Sequence, residues 1–571
     1  MSIDWPHLII LPIVLPLLTG AALLLVRSHT MPVARMISAI SVLIGLGVAL
    51  ALVQKADGAV VHSYLLSNWA APFGIALALD RLTALMLLLT SILACVSLFY
   101  AMGGDDKRGK YFHCLFQFQL MGLNGAFLTA DIFNLFVFFE VLLICSYGLL
   151  LHGGGARRLS AAVHYVTFNL AGSALFLISA SLLYGLTGTL NMADMAERIA
   201  HLPGDRSQLV QSAALLLVVV FCVKAALLPL YFWLPATYGA ASAPVAALFA
   251  VMTKVGVYAV LRVTTLIFGA QAGAASLVAS PWLEWLALGT LLLGVIGAFA
   301  ARSLTAMIGN MVVASAGTLM LAIGLARVDT VAAGLFYLVN STLVAAALFL
   351  LADRIVAARQ LNNRSLDQKV SNDYFEPAEL GAARIGLGVL FVVFAVAAAG
   401  MPPLAGFLGK AMLLKAAGPT EHGGIIVGIV LASSLLMMVT FARSGSMLFW
   451  RPVDAVSLKQ ALASASIVSS KNGESLPVQS RWVHQASIVV LAILVIACSI
   501  FAADLSRYTN ASAVQLFERE PYIQSVLQAK PVPPAFDVRK EMRNQKPVPI
   551  EKVVPSNETG NKPSSKAGAN E

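Results

Sequence analysis

Charge is what this sequence has least of. Asp, Glu, Lys and Arg make up only 12% of its 571 residues, against roughly 25% in ordinary globular domains. A water-soluble chain of this length could not cover its surface with so few charges. Soluble enzymes, soluble nucleic-acid-binding proteins, disordered chains and fibrous repeats are therefore excluded for the main body. Cysteine is scarce as well. Cys95, Cys114, Cys145, Cys222 and Cys498 all lie in apolar runs with no CxxC pair, so they read as small core residues and not as a disulfide, zinc or iron–sulfur framework. The N-terminus carries Asp4 before any basic residue. It lacks the positive region of a signal peptide, and the first apolar stretch is expected to be retained as a span. Catalytic motifs are missing too. "GDDKRGK" at 104–110 has GxxxxGK spacing, but Tyr111 stands where a P-loop needs Ser or Thr, and no strand precedes it. No enzyme chemistry, cofactor or metal is expected.

Apolar side chains are abundant, at 59%, with a mean hydropathy of +0.83. Lipid is the solvent such a chain requires. A hydrocarbon core of about 30 Å takes about 20 apolar residues per helix, and long runs without alternation leave helices as the spanning element. The expected fold is an all-α integral membrane protein of about fourteen transmembrane helices. The spans fall near 7–27, 33–54, 80–102, 110–130, 131–151, 159–185, 208–230, 241–264, 281–301, 305–326, 330–352, 383–414, 423–449 and 483–503. The broken apolar segment 61–79 reads as a loop on the membrane surface.

The formal net charge of +10 fits loop charge that orients a membrane protein. Alternate loops beginning with the first hold seventeen Lys and Arg residues, the opposite loops seven. That bias places the first set in the cytoplasm and both termini outside. Residues 504–571 read as a polar, largely disordered tail. From Lys530 it becomes rich in Pro, Lys, Ser and Asn with few large apolars.

Four ionisable residues sit where lipid should be. Glu140 lies mid-span in "DIFNLFVFFEVLLICSYGLL", Lys224 follows eleven apolar residues, and Lys254 and Lys410 lie in later spans. Each costs on the order of 2.5–3.5 kcal/mol at the bilayer centre, roughly 10–14 kcal/mol for the set. A structural ion pair plus snorkelling lysines would absorb part of this, but Glu140 and Lys224 lie too near mid-span to snorkel. The four are the candidate proton pathway. His164 is a candidate relay because its imidazole titrates near physiological pH. A hydrogen-bonded structural histidine is the alternative. Asp80, Arg81, Asp131, Arg262 and Arg302 lie near span ends, where anchoring at the interface is expected.

Two of the charged spans carry helix breakers. Pro229 follows Lys224, with Pro235 beyond it, and Pro402 and Pro403 precede Lys410. An internal proline removes a backbone hydrogen bond and clashes with the carbonyl four residues back. Broken helices at corresponding places in two halves mark inverted-repeat transporters. The breaks fall in spans seven and twelve, and an offset of five reverses direction. The organisation expected is 1–109 with spans one to three, 110–264 and 281–449 as two inverted five-helix repeats, 483–503 as the last span, then the tail. Two unit charges about 8 Å apart at an effective dielectric near 20 interact by about 2 kcal/mol. Glu140 would hold Lys224 charged, and moving or neutralising either partner would release a proton.

"GIALALDRLTALM", "DIFNLFVFFEVLLICSYGLLLHG", "YGLTGTLNMA", "VKAALLPLYFWLP" and "GMPPLAGFLGK" resemble segments of the antiporter-like membrane subunits shared by respiratory complex I and multisubunit monovalent cation/proton antiporters. "YLVNSTLVAAALFLLAD" and "RYTNASAVQLFEREPYIQSVL" are most similar to the D-type subunit of the Mrp assemblies, especially the potassium-extruding form. The resemblance implies a transporter subunit with no redox chemistry of its own. It implies protons and potassium or sodium as cargo, other membrane subunits as partners, the lipid bilayer as medium, no nucleic acid, and a bacterial inner membrane location. A proton-pumping subunit of an NADH:quinone oxidoreductase is the alternative it leaves open. The family's proton-path positions fall on Glu140, Lys224, Lys254 and Lys410. Asn340 stands where relatives carry a histidine in the eleventh span, and Thr305 and Ala306 replace a more basic entry to the tenth.

Overall fold

The computed structural model describes residues 5–25, 31–58, 60–362, 375, 380, 384–450 and 479–529. All of them fall in one compact unit, and 532–571 lies outside the described residues. The chain opens with α1 (Leu11–Leu25) and α2 (Met31–Ala56). A two-stranded antiparallel hairpin follows, β1 (His62–Leu65) and β2 (Ala76–Leu79), with His62 opposite Leu79. Next come α3 (Arg81–Ala101), α4 (Phe112–Leu128), α5 (Ile132–Leu151), α6 (Ala156–Thr187) and the short α7 (Met192–Ala200). The middle of the chain forms α8 (Ser207–Lys224), α9 (Trp233–Ala240), α10 (Ala243–Leu266), α11 (Ser280–Ala300) and α12 (Leu304–Gly324). It continues through α13 (Val328–Asn362), α14 (Arg384–Ala399), α15 (Ala405–Ala417) and α16 (Gly423–Gly445). The last elements are α17 (Gln479–Ile500), α18 (Ala502–Phe517) and α19 (Arg519–Leu527).

Eleven helices among the described residues are long and apolar enough to cross a membrane, with α1 and α14 as shorter apolar helices. Each segment expected to span falls on a helix or on a broken pair of helices. The segment 383–414 falls on the pair α14 and α15, and the segment 208–230 holds α8 and the break after it, with α9 beyond its expected end. Short polar caps start several helices. The Asp80 carboxylate accepts from the Thr83 N–H at 2.8 Å, and the Asp131 carboxylate from Asn134 at 2.7 Å, satisfying donors that a helix start leaves open. α10 and α13 form the centre of the bundle, with their apolar windows wholly buried, whereas α2 is mostly exposed.

Three expectations are corrected. The segment 61–79 is not a surface loop throughout: two strands frame it, and only the stretch between them, with Trp69 and Phe73, is exposed. β2 is buried along its whole length, and the Ala76 carbonyl takes the Ala130 N–H at 2.9 Å. "ALAL" has no polar face to turn outward, so the strand packs inside. Residues 504–529, grouped with the polar tail, are helical as α18 and α19. Thr509, Ser512, Ala513 and Leu516 are buried, and small residues let a helix lie close to its neighbours. The Tyr508 hydroxyl donates to the Arg81 carbonyl at 3.0 Å, and the Ser63 hydroxyl to the Ser525 carbonyl at 2.6 Å. The expectation of disorder from Lys530 onward lies outside the described residues.

Asp80 and Arg262 are not interface anchors. They are 2% and 3% exposed and form a two-pronged ion pair, Nη1 to Oδ2 at 2.6 Å and Nη2 to Oδ1 at 3.0 Å. Tyr258 and Tyr522 flank the guanidinium with ring centroids 5.3 and 5.0 Å away. Enclosure by α3, α10 and α19 leaves neither charge a route to water.

Candidate functional site: a line of buried charges through two broken helices

Glu140 sits half-buried in the middle of α5. The Ser173 hydroxyl of α6 donates to its Oε1. Lys224 of α8 donates to the same Ser173 oxygen at 3.2 Å and to the Asn169 carbonyl at 3.4 Å. One hydroxyl thus joins the carboxylate to the ammonium, accepting from one and donating to the other. Lys224 is 5% exposed, and its Nζ lies 5.8 Å from the Phe139 ring centroid.

Lys224 is the last residue of α8 because the helix breaks there. Ala226 adopts a left-handed backbone, φ +58°, and Pro229 contributes no N–H. The broken end is closed by other donors. The Trp233 indole N–H reaches the Val223 carbonyl at 3.2 Å, and the Leu228 N–H reaches Thr290 Oγ1 at 2.8 Å. α10 lies directly against this end. A Cβ on Gly256 would come within 2.6 Å of the Ala225 nitrogen, so only glycine permits the approach.

Lys254 of α10 is 1% exposed and donates to Ser315 Oγ of α12 at 3.2 Å. Thr318, one turn along α12 from Ser315, gives its hydroxyl proton to the Ala314 carbonyl at 3.0 Å, and α13 with the buried Tyr337 packs against α12. One turn along α13, Asn340 donates from Nδ2 to the Ala397 carbonyl at 3.5 Å. Its Oδ1 has no hydrogen-bond partner among the described residues. Lys410, half-buried on α15, donates to the Ala399 carbonyl at 2.9 Å and to Ser434 Oγ of α16 at 3.0 Å.

The second break supplies the carbonyls for this half of the line. Gly400 and Met401 both donate to Val396, which leaves Ala397 without its helical donor. Pro402 and Pro403 have no N–H to offer Ala398 and Ala399. Asn340 and Lys410 take two of the carbonyls so freed. Gly400, at φ +76°, makes room for the lysine stem. A Cβ there would lie 2.7 Å from Lys410 Cδ.

Of the predicted residues, Glu140 and Lys224 are joined through Ser173, while Lys254 and Lys410 each bond a separate serine, on α12 and on α16; α10 with Lys254 lies on the end of α8. His164 is brought to none of them. It is exposed on α6 and bonds the Ser160 carbonyl one turn back at 3.0 Å. Ser173, Ser315, Tyr337 and Ser434 were not singled out from sequence. A hydroxyl inside a span lacks the insertion cost that exposes a charge. The one available sign was the spacing of Asn169 and Ser173, which places both on one face of α6.

At the turn between α3 and α4, a second polar cluster joins Asp105 and Asp106 of the turn to the first residues of α2 and α4. Arg35 grips Asp106 with two bonds of 2.6 and 2.7 Å, and His113 Nε2 lies 3.2 Å from the same carboxylate. Asp105 lies beside it, 3.1 Å from Arg108. Burial pushes the Asp105 carboxyl up to about 6, with the nearby Asp353 charge adding to the effect.

Fold and site define a multi-span helical membrane protein with ionisable groups linked between its helices. Residues 129–437 match the family model described as "NADH:quinone oxidoreductase/Mrp antiporter, TM", and the chain belongs to that family. The probable K(+)/H(+) antiporter D subunit of Rhizobium meliloti (strain 1021) is 42% identical over 476 residues, covering 79% of this chain and 88% of that protein. The Na(+)/H(+) antiporter D subunit of Bacillus subtilis (strain 168) is 34% identical over 447 residues, covering 78% and 87%. Among solved structures, a chain of the Mrp complex from Dietzia sp. DQ12-45-1b superposes with a TM-score of 0.78 at 26% identity, covering 92% of this chain and all of that one. A chain of respiratory complex I from Thermus thermophilus with bound NADH gives 0.67 at 23% identity, covering 89% and 99%, and shares the fold.

Proposed function

We propose that this chain is the proton-translocating subunit of a multisubunit monovalent cation/proton antiporter, passing protons along Glu140, Lys224, Lys254 and Lys410. The observation that carries the reading is the Ser173 hydroxyl between Glu140 and Lys224. A hydroxyl that accepts from one titratable group while donating to the next can exchange a proton with both without moving its oxygen. Ser315 and Ser434 each accept from one lysine, Lys254 and Lys410, and Ser434 gives its own proton to the Val430 carbonyl. Between them the buried Asn340 amide cannot titrate, and water hydrogen-bonded to its open Oδ1 completes that link.

The same reading gives the chain fourteen crossings, with spans four to eight and nine to thirteen as inverted repeats. The interruptions ending α8 and α14 support it by falling at corresponding places. Both termini lie outside a bacterial inner membrane, as the loop charges require, and other membrane subunits surround the exposed faces. The two antiporter relatives, at 42% and 34% identity, favour this reading over a proton-pumping subunit of a redox complex. The cation is potassium or sodium.

The test uses the whole complex in everted vesicles, with K+ and Na+ assayed separately. Glu140→Gln and Lys224→Ala should each abolish cation-dependent dissipation of a proton gradient while the subunits still co-purify. Full activity in both variants would remove the proposal.

A further inference from the structure

We propose that the space between α1, α2, α3 and α4 is a binding site for a monovalent alkali cation, separate from the Glu140–Lys410 line. The assignment rests on reading the complex as a cation/proton antiporter, and it places a cation site within this chain.

The site begins with two prolines. Pro12 and Pro16 lie four residues apart in α1. Pro16 has no N–H, so the Pro12 carbonyl loses its helical donor. The Asn124 side chain of α4 takes that place, donating from Nδ2 at 2.8 Å. This bond fixes which way the amide points, because a flipped amide would set oxygen against oxygen. Oδ1 is left with no hydrogen-bond partner among the described residues, on a side chain only 9% exposed. A buried acceptor left open costs about 1–3 kcal/mol.

Seven residues earlier on the same face of α4 lies Gln117, fully buried. Its Nε2 donates to the Ser38 carbonyl at 3.4 Å, and its Oε1 accepts from the Ser41 hydroxyl at 3.2 Å. Thr90 of α3 spends its hydroxyl proton on the Met86 carbonyl at 2.7 Å. Asn124, Gln117, Ser41 and Thr90 line one cavity of about 30 Å³, together with Pro12 and Pro16. One water needs about 10–15 Å³, so the space holds a small ion and a water.

Asn124 Oδ1 is open, Gln117 Oε1 keeps a second lone pair beyond the Ser41 bond, and the Ser41 and Thr90 hydroxyls have given their protons to Gln117 and Met86, so the oxygens of this lining are left as acceptors. Such a set is satisfied by a positive guest. Neutral oxygens in place of a hydration shell are how alkali cations are held where they must also leave again. All the lining side chains are uncharged, which matches a monovalent ion held weakly and not a divalent ion held tightly. Thr19, whose hydroxyl donates to the Leu15 carbonyl at 2.8 Å, lies behind Ser41, 3.1 Å from its Oγ.

The experiment measures equilibrium binding of 86Rb+ and 22Na+ to the purified complex, and the half-saturating K+ and Na+ concentrations for antiport in proteoliposomes. Asn124→Leu should raise the half-saturating concentration of the transported ion about tenfold, the equivalent of one lost ion contact, with a matching loss of bound radiolabel. Thr90→Val, which keeps shape and removes one oxygen, should shift both in the same direction and carries the test if Asn124→Leu does not assemble. Unchanged binding and half-saturation would leave the cavity with water only and overturn the site. Glu140→Gln separates the two ideas. Loss of transport there beside normal cation affinity in Asn124→Leu sinks the cavity and keeps the antiporter, whereas full transport in Glu140→Gln sinks the antiporter reading itself.

Discussion

The Lys410 ammonium donates to the Ala399 carbonyl at 2.9 Å, the carbonyl that Pro403 leaves without a helical donor. A break in one helix and a charge on the next are thus one device, in which the lysine replaces the missing N–H. Replacing Pro402 and Pro403 together by Ala would return N–H groups to Ala398 and Ala399 and take that partner from Lys410. Proton transport should fall at least about tenfold, the effect of 1.4 kcal/mol or more, while the complex still assembles. Gradient dissipation in everted vesicles checks it.

Ser173 offers a sharper cut. A hydrogen bond to a charged group contributes about 1.5–3 kcal/mol, and Ser173→Ala removes the hydroxyl shared by two such groups. Antiport should drop about ten- to hundredfold. Ser173→Thr, which keeps an oxygen in reach, should retain most of it. Wild-type rates in the alanine variant would take the hydroxyl out of the route.

For the Asp80–Arg262 pair the expected effect is on stability. Removing one member of a buried pair costs about 3–5 kcal/mol because the other charge is stranded. Arg262→Ala should therefore lower the melting temperature of the solubilised complex and expose α18 and α19 to protease, since Tyr522 loses the cation it packs against. Adding Asp80→Asn to that variant should recover part of the loss.

Asp105 predicts a pH dependence. Its folded pKa of about 6 lies above the ordinary 3.8, so between those values the folded state holds the proton more firmly than the unfolded chain. Its contribution to stability is then fully present below about 4, is lost as pH rises through about 6, and stays lost above. Asp105→Asn should gain stability relative to the parent at pH 7 compared with pH 4.5. Thermal melts at the two pH values read the difference directly.

How far the site was legible follows from cost. Glu140, Lys224, Lys254 and Lys410 stand out in the sequence because a charge in lipid must be explained. Ser173, Ser315 and Ser434 do not, because a hydroxyl inserts cheaply. Asp80 and Arg262 lie at span ends, where an anchored charge and a buried pair look alike in one dimension. His164 reads as a relay by its chemistry alone, and only its outward position on α6 separates it from the line. α18 was hidden by its small and polar residues, Thr509, Ser512 and Ala513, whose burial depends on partners far away in the chain.

The amino-acid order alone determined that this chain dissolves in lipid, that its spans are helical, where two of them break, and that Glu140, Lys224, Lys254 and Lys410 fall inside apolar segments. Those properties follow from segments of about twenty residues, each short enough to be weighed against hydrocarbon on its own. Tertiary structure decided which hydroxyl joins Glu140 to Lys224, which freed carbonyl Lys410 takes, and which oxygens surround the cavity beside Asn124. Each is a contact between helices distant in sequence, set by close packing in three dimensions that no local pattern records.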